Sequence, residues 1–373
     1  MTQLGGAGGA GGAGGAGGAG GAGGAGGAGG DGGAGGALLG TLADAYANSI
    51  MVDALILGRE GTIVVPENPT PPHYTSYAPA LPTPIDDEKQ MERWEPWVRA
   101  YTAIGEMMQG INFQASGNAF QVLSGASLIA EIGRPLKSTF EAQIPMVISW
   151  AELRNERATE ILAQIDPQYA FWSSIVYMHP DRTKRTFELI NILLQFCVYV
   201  EMRFKHALAC WRPVECNAQV QPMITTPGHG AFPMGHGTNA YAVAYVLRKL
   251  LNLDAANPTV IDQLERQAAR IVTNRVIAGV HFPVDSMAGR MLGVALGEYF
   301  VGRCTGGTFM GRKFIAAGID SAATTDFNPF SGTQALDTLP FYSQSAGATI
   351  AKSDLMEHVW DKAQYEWEGK FGL

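Results

Sequence analysis

Residues 5–37 are eleven Gly-Gly-Ala triplets with Asp31 in place of one alanine, and this tract limits what the chain can fold into. A run in which Asp31 alone has a side chain larger than a methyl group buries little apolar area and has the largest backbone entropy to lose. It therefore reads as a disordered tail or linker over residues 1–37. A threefold extended helix of the collagen kind shares the period of three, but no proline stiffens this one. The tract holds 22 of the 47 glycines, so the following 336 residues have an ordinary glycine content. That body is long enough for one large domain or two small ones.

Charge and hydropathy narrow the class. The chain has 26 Lys and Arg against 34 Asp and Glu, a formal charge of −8, and no basic run, which argues against a nucleic-acid partner. The longest apolar stretch, Leu189 to Val200, is interrupted by Asn191 and Gln195 and is shorter than a bilayer requires, so no membrane span is expected. No Lys or Arg precedes Arg59, so the start lacks the basic region of a secretory signal, and a cytoplasmic location is the default expectation. Cys197, Cys210, Cys216 and Cys304 are too scattered for a disulfide framework and are expected as free thiols.

Three regions follow the tail. Residues 38–90 combine an apolar helix, predicted over Ala37 to Leu57, with an extended arm in which seven of the twenty prolines fall between Pro66 and Pro84. Residues 91–310 place apolar side chains at helical spacing in Trp94–Met107, Pro145–Ile165, Thr183–Leu208, Thr238–Leu251 and Val260–Val272. β alternation is scarce, so this region is predicted to be an all-α helical bundle. Residues 311–373 add a last helix near Asp354–Trp367 and either wrap the bundle or make a homo-oligomer contact.

Histidines and cations collect in three segments. In the first, Lys205 and Arg212 are seven residues apart, two helical turns, so both project from one face about 10 Å apart along the axis. Pro213 ends that helix and frees Arg212 to turn toward a shared site. The second, His229-Gly230-Ala231-Phe232-Pro233-Met234-Gly235-His236-Gly237-Thr238, precedes a helix whose first backbone N–H groups suit an anion. Alternatively it is an ordinary glycine-rich helix start capped by Thr238. The third runs from Asn274-Arg275 through His281 to Asp285, with Pro283 at a helix start. Asp285 there can accept from one nitrogen of His281 and leave the other free. His236, His281 and Asp285 alone would suit zinc or iron, but Lys205, Arg212 and Arg275 around the same point would repel a divalent cation. Three cations fit a tetrahedral oxyanion, with one histidine bonded to the central atom and the other moving protons.

In this order the segments resemble the signature of the vanadium-dependent haloperoxidases, acid phosphatases and type 2 phosphatidic acid phosphatases: Lys-x6-Arg-Pro, Pro-Ser-Gly-His, and Ser-Arg-x5-His-x3-Asp. Here they read Lys205…Arg212-Pro213, Pro233-Met234-Gly235-His236 and Asn274-Arg275…His281…Asp285. The resemblance spans about residues 180–300 and implies a helical bundle. It implies that Lys205, Arg212, Arg275 and the Gly235 amide hold vanadate or phosphate. It makes His281 the vanadium ligand or the phosphorylated nucleophile, Asp285 its orienting partner and His236 the acid–base. Met234 stands where the family has a serine that donates to the anion, and a thioether cannot donate; one such bond to a charged group is worth about 1.5–3 kcal/mol. Asn274 replaces a serine of supporting role.

His229, seven residues before His236, occupies the position where bromoperoxidase-like members carry a second histidine. The resulting expectation is a vanadate-dependent haloperoxidase using hydrogen peroxide, a halide and a small organic acceptor, with His236 taking the peroxide proton and Lys205 polarising the bound peroxide. Trp211, Phe232 and Phe282 are expected near the halide. The alternatives are a soluble acid phosphatase acting through a phosphohistidine, and an impaired oxyanion-binding or structural protein. In each enzymatic reading the Gly-Gly-Ala tract has no chemical part. Deleting residues 5–36 is expected to leave turnover unchanged when truncated and full-length chains are assayed side by side.

Overall fold

A computed structural model describes residues 49–62, 87–165 and 168–371. The Gly-Gly-Ala tract, the first part of the helix expected from Ala37 and the proline-rich arm lie outside the described residues. The chain divides between Trp94 and Glu95 into two units. In the smaller, the described residues form α1 (Ser49–Glu60) and a 3-10 helix (Glu88–Arg93), whose first turn is capped by Asp87 accepting from the Lys89 N–H at 3.0 Å.

The larger unit opens with α2 (Pro96–Met108), followed by strands β1 (Ile111–Ser116), β2 (Ala119–Ser124) and β3 (Ser127–Gly133). Helices α3 (Lys137–Trp150), α4 (Arg154–Ala163) and the short α5 (Tyr169–Ser173) lead to the 25-residue α6 (Lys184–Leu208). A one-turn helix, α7 (Pro213–Cys216), precedes the bundle centre: α8 (Gly235–Leu250), α9 (Pro258–Ile277) and α10 (Pro283–Thr305). Then come β4 (Gly311–Phe314), α11 (Ala316–Asp320), β5 (Tyr342–Ser345) and α12 (Asp354–Tyr365). No helix among the described residues is long and apolar enough to cross a membrane.

The all-α expectation needs correction. Five strands form one mixed sheet in the order β1-β2-β3-β4-β5, with β3 and β4 parallel and the other pairs antiparallel. Strands β1 to β3 turn back at Gly117 and Gly125, both at φ +58°, the left-handed region glycine enters without strain. Phe120 and Val122 of β2 are buried while Gln121 between them is less so, and Phe120 meets Phe204 of α6 edge to face at 5.3 Å. The alternation is real but only a few residues long, so helical spacing in the neighbouring segments dominates the sequence pattern.

Three helix bounds also differ. The stretch expected as one helix over Pro145–Ile165 is α3 and α4 joined by a 3-10 turn, Ala151–Leu153, with Pro145 inside α3. Helix α8 starts at Gly235 rather than Thr238. Met234 is its extended N-cap, and the Thr238 hydroxyl donates back to the Met234 carbonyl at 3.1 Å instead of capping. Helix α9 continues to Ile277, which puts Asn274 and Arg275 in its last turn.

Helix α8 is buried along nearly its whole length and lies against α10 at backbone distance. A Cβ at Gly289 would stand 2.6 Å from the Met234 carbonyl oxygen, and one at Gly293 would overlap the Thr238 carbonyl. Neither helix can withdraw without opening the core, because packing here is as dense as in a crystal. Gly293→Ala is therefore expected to lower the unfolding free energy by about 1–3 kcal/mol, read by denaturant titration.

Candidate active site

The C-terminal end of α6 and the starts of α8 and α10 converge on one recess. Lys205, Arg212, His229, Gly235, His236, Arg275 and His281 line it together. Ala209, left-handed at φ +46°, ends α6, and its N–H bonds to the Lys205 carbonyl at 3.0 Å. The chain thereby reverses direction, and Arg212 returns over the recess.

The three cations are almost wholly buried. The Lys205 ammonium donates to the Pro233 carbonyl at 2.6 Å and to those of Gly230 and Ala231 at 3.3 Å. Arg212 donates through Nη1 to the Val280 carbonyl at 2.9 Å and through Nε to the His229 carbonyl at 3.2 Å. Arg275 donates through Nη2 to the Ile161 carbonyl at 2.8 Å and to Gln164 Oε1 at 3.3 Å, while its Nε and Nη1 are buried without a partner. Burial lowers Lys205 to about 8 and Arg275 to about 10, and also lowers Arg212. Charged donors buried without a partner are costly, and an anion satisfies them.

Hydrogen bonds fix the tautomers of His281 and His236. His281 Nδ1 lies 2.9 Å from Asp285 Oδ2, so the proton sits on Nδ1, and the Nε2 lone pair accepts from Arg212 Nη1 at 2.9 Å. Asp285 Oδ2 also accepts from the Phe282 N–H at 2.9 Å, so one oxygen both caps α10 and fixes the imidazole. Burial raises Asp285, against the pull of the Phe282 N–H and of Arg212 and Lys205. His236 Nε2 donates to the Gln164 carbonyl at 3.0 Å, which leaves Nδ1 as its basic nitrogen. Burial, then Arg275, holds His236 well below the ordinary histidine range; burial, then Arg212, does the same for His281. His229 comes to the recess beside Arg212, with Nδ1 at 3.2 Å from Arg212 Nη2 and Nε2 buried without a partner, and burial lowers it to about 4.

Met234 is fully buried as the N-cap of α8, and its backbone N–H bonds to the Asp285 carbonyl at 3.0 Å. Its side chain packs toward Gly237 and Gly289 rather than lining the recess. Phe232 and Phe282 are not at the recess either: both are buried around Phe140, at ring distances of 6.3 and 5.2 Å, and Trp211 is half exposed. Asn274 stands behind Arg275, donating to Gln164 Oε1 at 2.9 Å and accepting from Arg157 at 3.3 Å.

Two contributors escaped the sequence reading. Gln164, just beyond α4, positions Arg275, Asn274 and His236 at once, and no pattern in the chain marks it. Glu201, fully buried one turn before Lys205, did leave a signal: an acidic residue directly after the apolar run of α6. Among the described residues, no group of three or more His, Cys, Asp or Glu side chains could hold a metal ion.

Residues 189–302 match the family model of the PAP2 superfamily. No curated protein matches the chain.

Asp285→Ala would strip both the α10 cap and the Nδ1 partner of His281. It is expected to lower stability by about 3–5 kcal/mol, read by denaturant titration, and to weaken phosphate binding about 10–100-fold, read by calorimetry.

Proposed function

On the premise that residues 189–302 belong to the PAP2 superfamily, which includes vanadium haloperoxidases and phosphatidic acid phosphatases, we propose that this protein is a vanadate-dependent haloperoxidase. The observation that carries the reading is the recess itself: three buried cations line it together with His281, and two N–H groups of Arg275 are buried there without a partner. This donor set fits vanadate, and phosphate has the same shape. Lys205, Arg212, Arg275 and the Gly235 amide would hold the oxygens, and His281 Nε2 would be the one ligand to the central atom. When bound, vanadate supplies a Lewis-acidic centre that activates hydrogen peroxide toward halide.

The protein residues have separate tasks. Asp285 keeps the His281 proton on Nδ1, so that Nε2 presents its lone pair. Arg212 occupies that lone pair until a ligand arrives and then has an anion oxygen as its new acceptor. His236, held neutral by burial and by Arg275, accepts the proton of the incoming peroxide at Nδ1. Lys205, fixed by three carbonyls, brings positive charge to the reacting oxygen. Halide oxidation then yields a hypohalous species that leaves or halogenates an organic acceptor.

The second reading is a phosphomonoesterase. His281 Nε2 would attack phosphorus, the P–O bond to the alcohol would break, and His236 would protonate the leaving oxygen. The unprotonated Nε2 of His281 favours it, whereas a neutral His236 suits a base better than an acid. A third reading, an oxyanion-binding protein without turnover, draws on the missing hydroxyl at Met234.

Protein reconstituted with orthovanadate is expected to brominate or iodinate a phenolic dye with peroxide, and His281→Ala to lose at least ~100-fold of that rate. Hydrolysis of p-nitrophenyl phosphate without halogenation would establish the phosphatase instead. Failure of both assays by a folded protein would leave the binding reading. Met234→Ser is expected to leave oxyanion affinity unchanged, read by calorimetry, because residue 234 packs away from the recess, while lowering stability by about 2–4 kcal/mol, because it empties a fully packed position.

A further inference from the structure

Glu201 is fully buried on α6, one turn before Lys205, and neither carboxyl oxygen has a hydrogen-bond partner. The carboxyl takes the space that a side chain at Gly235, the first residue of α8, would need: a Cβ built there would lie 2.5 Å from Oε1 and 2.8 Å from Oε2. Gly235, Lys205 and Arg212 all line the recess, so the carboxyl sits directly behind the groups that would hold an anion. Cys197 and Lys205 on its own helix and Arg212 beyond it feel its charge. Asp285 on α10 acts on the same Lys205, and His236 at the start of α8 feels Lys205 and Arg212.

An ionised carboxylate with no donor, in a dry cavity, is among the costliest groups a fold can hold. Burial accordingly pushes Glu201 up to about 7, with Lys205 and Arg212 pulling the other way. An oxyanion entering the recess takes those same cations as its partners and adds negative charge on the far side of Gly235. Anion and carboxylate then compete for one set of charges.

We propose that Glu201 is the proton-holding group of the oxyanion site, neutral whenever the site is filled, so that a tetrahedral dianion binds together with one proton. This rests on the oxyanion reading of the recess. Neutral Glu201 also brings an O–H group beside Gly235. Glycine at position 235 leaves room for that carboxyl.

The direction of the pH dependence follows. Above the Glu201 pKa the free site must take up a proton before the anion binds, so affinity falls by up to about tenfold per pH unit; below it, this contribution is flat. Tungstate is the suitable probe, being a tetrahedral dianion that does not itself titrate near neutral pH. Calorimetry across about pH 6 to 9 is expected to show the wild-type affinity falling more steeply than that of Glu201→Gln, by about tenfold or more at the alkaline end. Glu201→Met, uncharged and of similar length, is expected to behave like Glu201→Gln and replaces it if the amide does not fold. Titration in two buffers of different ionisation enthalpy at about pH 8 is expected to report close to one more proton taken up by the wild type than by the variant, in which Lys205, lowered to about 8, titrates over the same range. Parallel pH profiles in wild type and variants, or equal proton uptake by wild type and variant, would overturn the role of Glu201 and leave the oxyanion site standing. No tungstate binding by a folded wild-type protein at any pH would overturn the site reading and Glu201 with it.

Discussion

The approach of α8 and α10 at backbone distance is the constraint from which the site follows. Gly289 and Gly293 allow it, and the Met234 N–H to Asp285 carbonyl bond at 3.0 Å locks the two helix starts side by side. Each start carries the positive end of a helix dipole. With the helices held there, His236 in the first turn of one and His281 just before the other cannot avoid sharing a recess. A larger residue at either glycine would separate the two histidines before it disturbed their own neighbours.

Positive potential from two helix ends makes the same place unfavourable for Lys205, Arg212 and Arg275, yet all three are buried there. Backbone carbonyls make this tolerable: those of Pro233, Val280 and Ile161 each accept from one cation at 2.6–2.9 Å. They orient the cations without neutralising them. Charge neutralisation is left to Asp285, which is committed to His281 and the α10 cap, to Glu201 behind Gly235, and to whatever occupies the recess. Donors aimed in advance at the place where charge will develop are the usual source of electrostatic catalysis.

The chain disclosed which side chains would gather at the recess more fully than it disclosed the architecture. Lys205, Arg212, His236, Arg275, His281 and Asp285 were legible because each is a costly group to bury and their spacings fall on helix faces and ends. Gln164 was not, because a glutamine that bonds through its backbone carbonyl and side chain together has no periodic signature. Helices α6 and α12 were readable within a residue or two from apolar spacing. The sheet was hidden for a different reason: its strands are four to seven residues long, and β3 meets β4 only after the whole bundle has intervened. Local periodicity carries no information about a partner that distant.

That distant pairing has a consequence for how the molecule assembles. Ala130 pairs with Arg312 and Ile132 with Phe314, so the sheet closes like a clasp around everything between them. Loop-closure entropy opposes such a contact until the intervening helices have shortened the path, which makes the parallel ladder a late event in folding. Once formed, it ties the two ends of the helical segment, and α6, α8, α9 and α10 lie inside a closed circuit of backbone. Fraying at either end of that segment must first break the ladder, which shields the recess from the motions that loosen most chain ends.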